Sequence, residues 1–389
     1  MTWVLTHPRN LVSHSMTDGI AAYAGELEGL RWPSVAPNLA DAGGAMEGFR
    51  WKVEGEYFCH AAERRAGCAA SKSPYHQIFP VRCFYHPGYV FPLPDEHPFP
   101  MDKFWRAEEM IRASAPDGVE ILPVEPCPED DLRRVHSSEY IEKIRTNTLD
   151  ALESFKLGLP CGEELLTRSR LEVAGTMAAM HAALEDGFAC NLAGGTHHAF
   201  PGRGEGYCVL NDVAIAVRHR QSTEPERRIA IIDTDAHQGN ANHAIFATDP
   251  HVFTYSIHVG KNYPSQKVPG SLDVPLPRYV AGAEYLDQLE ATLGPAMENF
   301  NPSLVFWIAG ADPHVNDRFG QMSLQDADFL RRDNHVLDVV RKRRWPTVVL
   351  YGGGYNRDRE HTARLHAESV LRAACAARSW HTSSCGAAL

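Results

Sequence analysis

No stretch of this 389-residue chain approaches 18 consecutive apolar residues, so nothing in it reads as a membrane-spanning helix. Basic residues are in deficit: 38 Lys and Arg stand against 49 Asp and Glu, a formal net charge of −11. A protein held mainly by phosphate contacts needs the opposite balance, so direct nucleic-acid binding is not expected. No Cys-x-x-Cys pair occurs, and the nine cysteines (59, 68, 83, 127, 161, 190, 208, 375 and 385) are odd in number. Both facts argue against a disulfide framework and a thiolate zinc site, and for reduced thiols in a cytoplasmic protein. There is no internal repeat and no long low-complexity tract, which sets repeat architectures aside. The first 77 residues have no basic segment followed by an apolar one, as a secretory signal requires. Asp18, Glu26 and Glu28 also argue against an acid-poor transit peptide. Residues 1–80 are expected to be an extension, disordered or accessory, ahead of one domain over 81–376 and a tail over 377–389.

What is present is ordinary in bulk: 44% apolar and 22% charged residues, in a chain long enough to bury a large core. From about Val81 short apolar runs alternate with helical patterns. Strands are expected at Arg82–Tyr85, Cys190–Ala193, Arg228–Asp233, Val252–Ile257, Leu304–Ala309 and Thr347–Tyr351. Helices are expected at Lys103–Ala113, Ser138–Arg145, Leu165–Glu185, Ala283–Asn299 and Leu324–Arg341. Near-continuous apolar strands are those covered on both faces. The alternation therefore predicts an α/β fold with a doubly wound, mainly parallel sheet and helices on both faces.

In such a sheet ligands bind beyond the carboxyl ends of the strands. Five strand ends carry chemistry: Gly194-Gly195-Thr196-His197-His198, Asp233-Thr234-Asp235-Ala236-His237, Ser256-Ile257-His258, Gly310-Ala311-Asp312 and Gly352-Gly353-Gly354-Tyr355. Alternate strand residues point to one face, so Asp235 and His237 can reach one ion. Asp312 is the natural third ligand. A carboxylate–imidazole set suits Zn²⁺, with Fe²⁺ as the alternative in the cell. Adjacent histidines are usually incidental. Beside a metal, however, each needs a partner on its other ring nitrogen, and Asp233 and Asn240 flank the metal motif as candidates. A tyrosine after three glycines, Tyr355, can lend its hydroxyl to a developing oxyanion.

These residues resemble the histone deacetylase family of the arginase/deacetylase superfamily, most nearly its class IV-like, bacterial-type branch. The resemblance runs from about Arg82 to about Ala373. It is carried by YHPGYVFPLPDEHPFPMDKF (85–104), LGLPCGEELLTRSRLEVAGT (157–176), NLAGGTHHAFPGRGEGYCVLND (191–212), IIDTDAHQGNANHAIF (231–246), YSIHVGKNYP (255–264), GADPHVNDRFG (310–320) and GGGY (352–355). It implies Asp235, His237 and Asp312 as zinc ligands. It also implies Asp233 behind His197, Asn240 behind His198, and Tyr355 as the transition-state tyrosine. Gly206 and Tyr207 match residues that line an acyl-lysine channel. Asp233 and Ser256 match a structural monovalent-cation site, taken as K⁺. The implied reaction is removal of acetyl or other acyl groups from lysine in a protein or peptide, or from a small acetylated amine such as a polyamine. The sequence departs from the family at Ala236, Ala241 and Tyr207, where Val, Gly and Phe are common. Two further readings are a two-metal ureohydrolase and a non-catalytic acyl-lysine binding module. The first needs an acid at position 239, where this chain has Gly239. The second is disfavoured because every expected ligand, both histidines and the tyrosine are present.

Overall fold

The computed structural model describes residues 80–382 apart from Asp95 and Pro116. The extension drawn over residues 1–80 lies outside that range except for Pro80, as do the last residues of the tail, 383–389. Eight strands form one sheet: β1 (Val81–Phe84), β2 (Val119–Leu122), β3 (Phe188–Asn191), β4 (Ile229–Asp233), β5 (Val252–Val259), β6 (Leu272–Leu276), β7 (Leu304–Ile308) and β8 (Thr347–Leu350). Their order is β2-β1-β3-β8-β7-β4-β5-β6, and every neighbouring pair is parallel. The helices are α1 (Lys103–Ser114), α2 (Glu129–Leu132), α3 (Ser138–Thr146), α4 (Ala151–Leu157), α5 (Glu163–Asp186), α6 (Asp212–Gln221), α7 (Asn240–Phe246), α8 (Gly282–Phe300), α9 (Asp326–Lys342) and α10 (Arg359–Thr382). No helix among the described residues is long and apolar enough to cross a membrane.

All six expected strands form, with ends displaced by a residue or two. Those at the centre are buried throughout, as their apolar runs demand: β3, β4, β7 and β8 have no exposed position. The two strands missed in the sequence are the sheet's edges. β2 (VEIL) is half exposed and β6 (LDVPL) carries Asp273 and Pro275, so neither gives an apolar run. An edge tolerates a proline because one side of its backbone has no strand to pair with. The helix α6 was hidden by its own burial: Val213 to Val217 are all covered, so its pattern has no polar stripe. The last helix runs beyond residue 376 to Thr382, and Trp380 packs edge-to-face on Phe188 of β3.

The sheet order determines where the chemistry goes. The five loaded segments follow, or lie on, β3, β8, β7, β4 and β5. These are five consecutive strands in the sheet, although their sequence order is scattered. Parallel pairing then brings all five carboxyl ends to one edge.

Candidate metal centre and active site

The centre is built on the turn after β4. Asp235, His237 and Asp312 are buried, and each presents one ligand atom within 4.8 Å of the others. Nδ1 of His237 lies 2.7 Å from Asp312 Oδ2 and 3.2 Å from Asp235 Oδ1. The backbone holds the carboxylates from behind. Gly353 N–H donates to Asp235 Oδ2 (2.7 Å), His237 N–H to Asp235 Oδ1 (2.9 Å) and Ala236 N–H to Asp312 Oδ1 (2.8 Å). A β-carbon on Gly353 would fall 2.6 Å from oxygens of both Asp235 and Asp312, so only glycine fits that approach.

Two buried carboxylates facing one imidazole favour a positive charge between them. Burial, then the neighbouring Asp235 charge, pushes the Asp312 carboxyl above its usual range. Burial alone would lower His237, but the Asp312 and Asp235 carboxylates outweigh it and raise the imidazole to about 10. A divalent cation satisfies the same demand, and two carboxylates with one imidazole are a fitting donor set for zinc with an open coordination position. Gly239 lies against Asp233, where a β-carbon would come within 2.4 Å of its carboxylate. Among the described residues, no second group of ligands includes position 239.

The tandem histidines have the partners the resemblance implies. Nδ1 of His197 is 2.7 Å from Asp233 Oδ2, and Nδ1 of His198 is 2.7 Å from Asn240 Oδ1. The rings sit 4.0 Å apart, and Nε2 of His197 is 3.9 Å from Asp235 Oδ1. Their environments differ sharply. Burial lowers both, but Asp233 and Asp235 reverse this for His197 and raise it to about 9. For His198 burial prevails, reinforced by the neighbouring His197 charge, and the imidazole is held well below its ordinary value. Ahead of them Gly194 and Gly195 take positive φ (79° and 75°). That turn is tied down by buried Asp212, which accepts the Gly195 and Thr196 N–H groups at 3.0 and 2.8 Å.

Tyr355 is 8% exposed. Burial, then the Asp235 and Asp312 charges, raises its phenol well above the usual value, so it keeps its proton and can donate. It shares a cavity with His197, Tyr207, Lys103 and Glu172. Gly206 and Tyr207 both have positive φ (54° and 67°), and their N–H groups donate to Lys156 and Leu157 of α4. The Tyr207 ring lies 5.8 Å from that of Tyr355. Ser256 is the register partner of Asp233 on β5, and its hydroxyl is 3.0 Å from Nδ1 of His258.

Sequence reasoning passed over three neighbours. The Tyr263 ring stands 5.0 Å from that of His198 and 6.1 Å from that of His237, on the loop after β5. Lys103 is fully buried, and its Nζ donates to Gly352 O at 3.1 Å and lies over the Tyr355 ring at 5.6 Å. Burial outweighs the carboxylates around it and lowers it to about 8. A signal existed: residues 103, 107 and 111 share a helix face, and the other two are buried alanine and isoleucine. Asp317 is the third, and its Oδ2 accepts the Tyr355 N–H.

A second group, His314, Asp326 and His361, also converges. Asp326 Oδ1 lies 3.1 Å from Nε2 of His314 and 2.8 Å from Nε2 of His361, while Arg364 holds Oδ2 at 2.7 Å. Nδ1 of His314 accepts the Asn316 N–H, which leaves its proton on Nε2, facing Asp326. This is an ion-pair network around one carboxylate.

The histone deacetylase domain model matches residues 97–372. An uncharacterized protein of Picosynechococcus is 40% identical over 278 residues, covering 71% of this chain and 92% of that one. Histone deacetylase 2 of Arabidopsis thaliana is 30% identical over 287 residues (70% of this chain, 73% of that one). The acetoin utilization protein AcuC of Staphylococcus aureus is 28% identical over 293 (67% and 73%). The crystal structure of the HDA15 HD domain superposes with a TM-score of 0.64 at 21% identity, covering 76% of this chain and 91% of that one, which speaks to the fold. The chain belongs to the histone deacetylase family, whose members are deacetylase hydrolases.

Proposed function

We propose that the protein is a zinc-dependent amidohydrolase that removes acetyl or other acyl groups from lysine side chains in a protein or peptide. The observation that carries the reading is the convergence of Asp235, His237 and Asp312 beside two differently partnered histidines. Asp235, His237 and Asp312 hold the ion. Bound there, it would polarise the amide carbonyl and make water more acidic. The other roles belong to the chain. His198, kept neutral by burial, takes the proton from the attacking water at its free nitrogen. Tyr355, which keeps its phenolic proton, donates to the oxyanion as the carbonyl carbon becomes tetrahedral. His197, kept protonated by Asp233, gives its proton to the departing amine. Gly206 and Tyr207 form the channel wall for the acyl-lysine stem, with Tyr263 beside them. Asp233 and Ser256 would hold a structural K⁺. A cytoplasmic location is the reading that the buried free cysteines support.

The test is a fluorogenic acetyl-lysine assay on purified protein, with and without a chelator, alongside acetylated polyamines and longer acyl-lysines. Turnover that chelation abolishes and zinc restores is expected. Turnover indifferent to chelation sinks the metal role, and hydrolysis of the amines alone moves the substrate to the small-molecule class. A metal-to-protein ratio near two would favour the ureohydrolase reading. Metal binding without turnover of any substrate would favour the non-catalytic one.

A further inference from the structure

We propose that Asp317 and Arg318 are a positioning pair that grips the backbone N–H and C=O of Tyr355 and so aims its phenol. The proposal rests on the deacylase reading above. Tyr355 is carried on Gly352-Gly353-Gly354, of which the first and last take φ of 70° and 151°. Three glycines allow the chain into the cleft but give it no stiffness of their own. An oxyanion donor nevertheless has to be held to a fraction of an ångström. The restraint must come from elsewhere.

It comes from the loop after β7. Asp317 Oδ2 accepts the Tyr355 N–H at 2.6 Å. The next residue, Arg318, donates from Nε to the Tyr355 carbonyl at 2.8 Å and from its guanidinium to Pro98 O. Two consecutive residues thus hold the N–H and the C=O of the same tyrosine. Asp317 Oδ1 accepts the Phe319 and Gly320 N–H groups at 2.8 and 2.9 Å, which curls the loop back on itself. The Phe319 ring then meets the Tyr355 ring edge-on at 5.3 Å. The same loop follows the metal side: Asp317 N–H donates to His314 O at 2.9 Å, and a β-carbon on Gly320 would overlap the Asp312 carbonyl. Hydrogen bonds to an ionised partner are stronger than neutral ones, and both grips are of that kind. One short loop therefore sets the spacing between Asp312 and the tyrosine.

Arg318 is exposed, so replacing it removes a grip without opening the core. The experiment compares Asp317→Asn, Arg318→Gln and Arg318→Lys, in the native and Tyr355→Phe backgrounds. It reads kcat, KM, zinc content, thermal midpoint and hydrogen exchange over residues 352–358. Arg318→Gln should lower kcat about tenfold with KM and zinc content unchanged, and Arg318→Lys should recover part of the loss. With the phenol gone, the same change should alter kcat by less than about twofold, because the two sites act as one unit. Amide exchange at Tyr355 should speed up in Asp317→Asn and Arg318→Gln whether or not turnover is measurable. Unchanged exchange overturns the proposal, as does an equal loss of kcat in both backgrounds. If Asp317→Asn fails to fold, Arg318→Gln carries the test. Should Tyr355→Phe leave turnover intact, the role of the tyrosine falls and the pair's role with it. Should it abolish turnover while neither Arg318→Gln nor Asp317→Asn alters kcat, the pair alone falls.

Discussion

His197 and His198 are neighbours in sequence, yet an aspartate behind one and an asparagine behind the other separate their chemistry. The rate should be bell-shaped in pH. His198 stays neutral well below pH 6.5, so the acid limb should lie below that value. The alkaline limb should fall near pH 9, where His197 loses its proton. Since Asp233 is the larger of the two carboxylate influences that raise His197, Asp233→Asn should move the alkaline limb to lower pH. A pH–rate profile of kcat that is unmoved in that variant contradicts the assignment. Gly353 offers a second check. Its missing β-carbon makes room for two carboxylate oxygens, so Gly353→Ala should weaken zinc binding by roughly tenfold or more, measured by competition with a chelating dye. At this scale the sequence was informative about residue types and spacing. The resemblance assigned each histidine its partner, but local sequence alone could not show that side chains 36 and 42 positions away come within hydrogen-bond reach.

The elements that present these residues are held by polar contacts as well as by apolar packing. Asn211 caps α6 by accepting the Ala214 N–H, and its own N–H donates to Nε2 of buried His136 at 2.8 Å. That acceptor exists only while His136 is unprotonated. Burial lowers it to about 4, below its ordinary 6.5. The unfolded chain then binds the extra proton between those values, so stability is full above pH 6.5 and is lost as pH falls towards 4. The loss should be on the order of 3 kcal/mol, and denaturant titrations of His136→Phe between pH 7 and 4 should show a flatter dependence. Elsewhere Trp307, fully buried on β7, donates to Thr234 Oγ1 at 3.1 Å. Trp307→Ala should cost about 3–5 kcal/mol by chemical denaturation. The central strands were legible because both faces are apolar. The edges β2 and β6 and the helix α6 were not, since each breaks the pattern by which its type is read.

On the proposed deacylase reading, the net charge of −11 across the whole molecule would favour substrates whose acyl-lysine sits among basic residues. An acetyl-lysine peptide flanked by arginine should therefore be hydrolysed with a higher kcat/KM than one flanked by aspartate, and raising the salt should shrink the gap. Equal values at low salt would show that the net charge does not reach the mouth of the site. The order of chemically loaded segments along the chain identified the family, because ligand types and short-range spacings are written locally. So were the turns: the paired glycines before His197 and the three before Tyr355 are themselves the permission for their conformations. The pairing of His197 with Asp233, the burial of Lys103 and the hold of Asp317 and Arg318 on Tyr355 all join segments far apart in sequence. Apart from Lys103, which α1 carries, only the strand order β3-β8-β7-β4-β5 brings those segments to one edge, and that order is a property of the sheet rather than of any local run of residues.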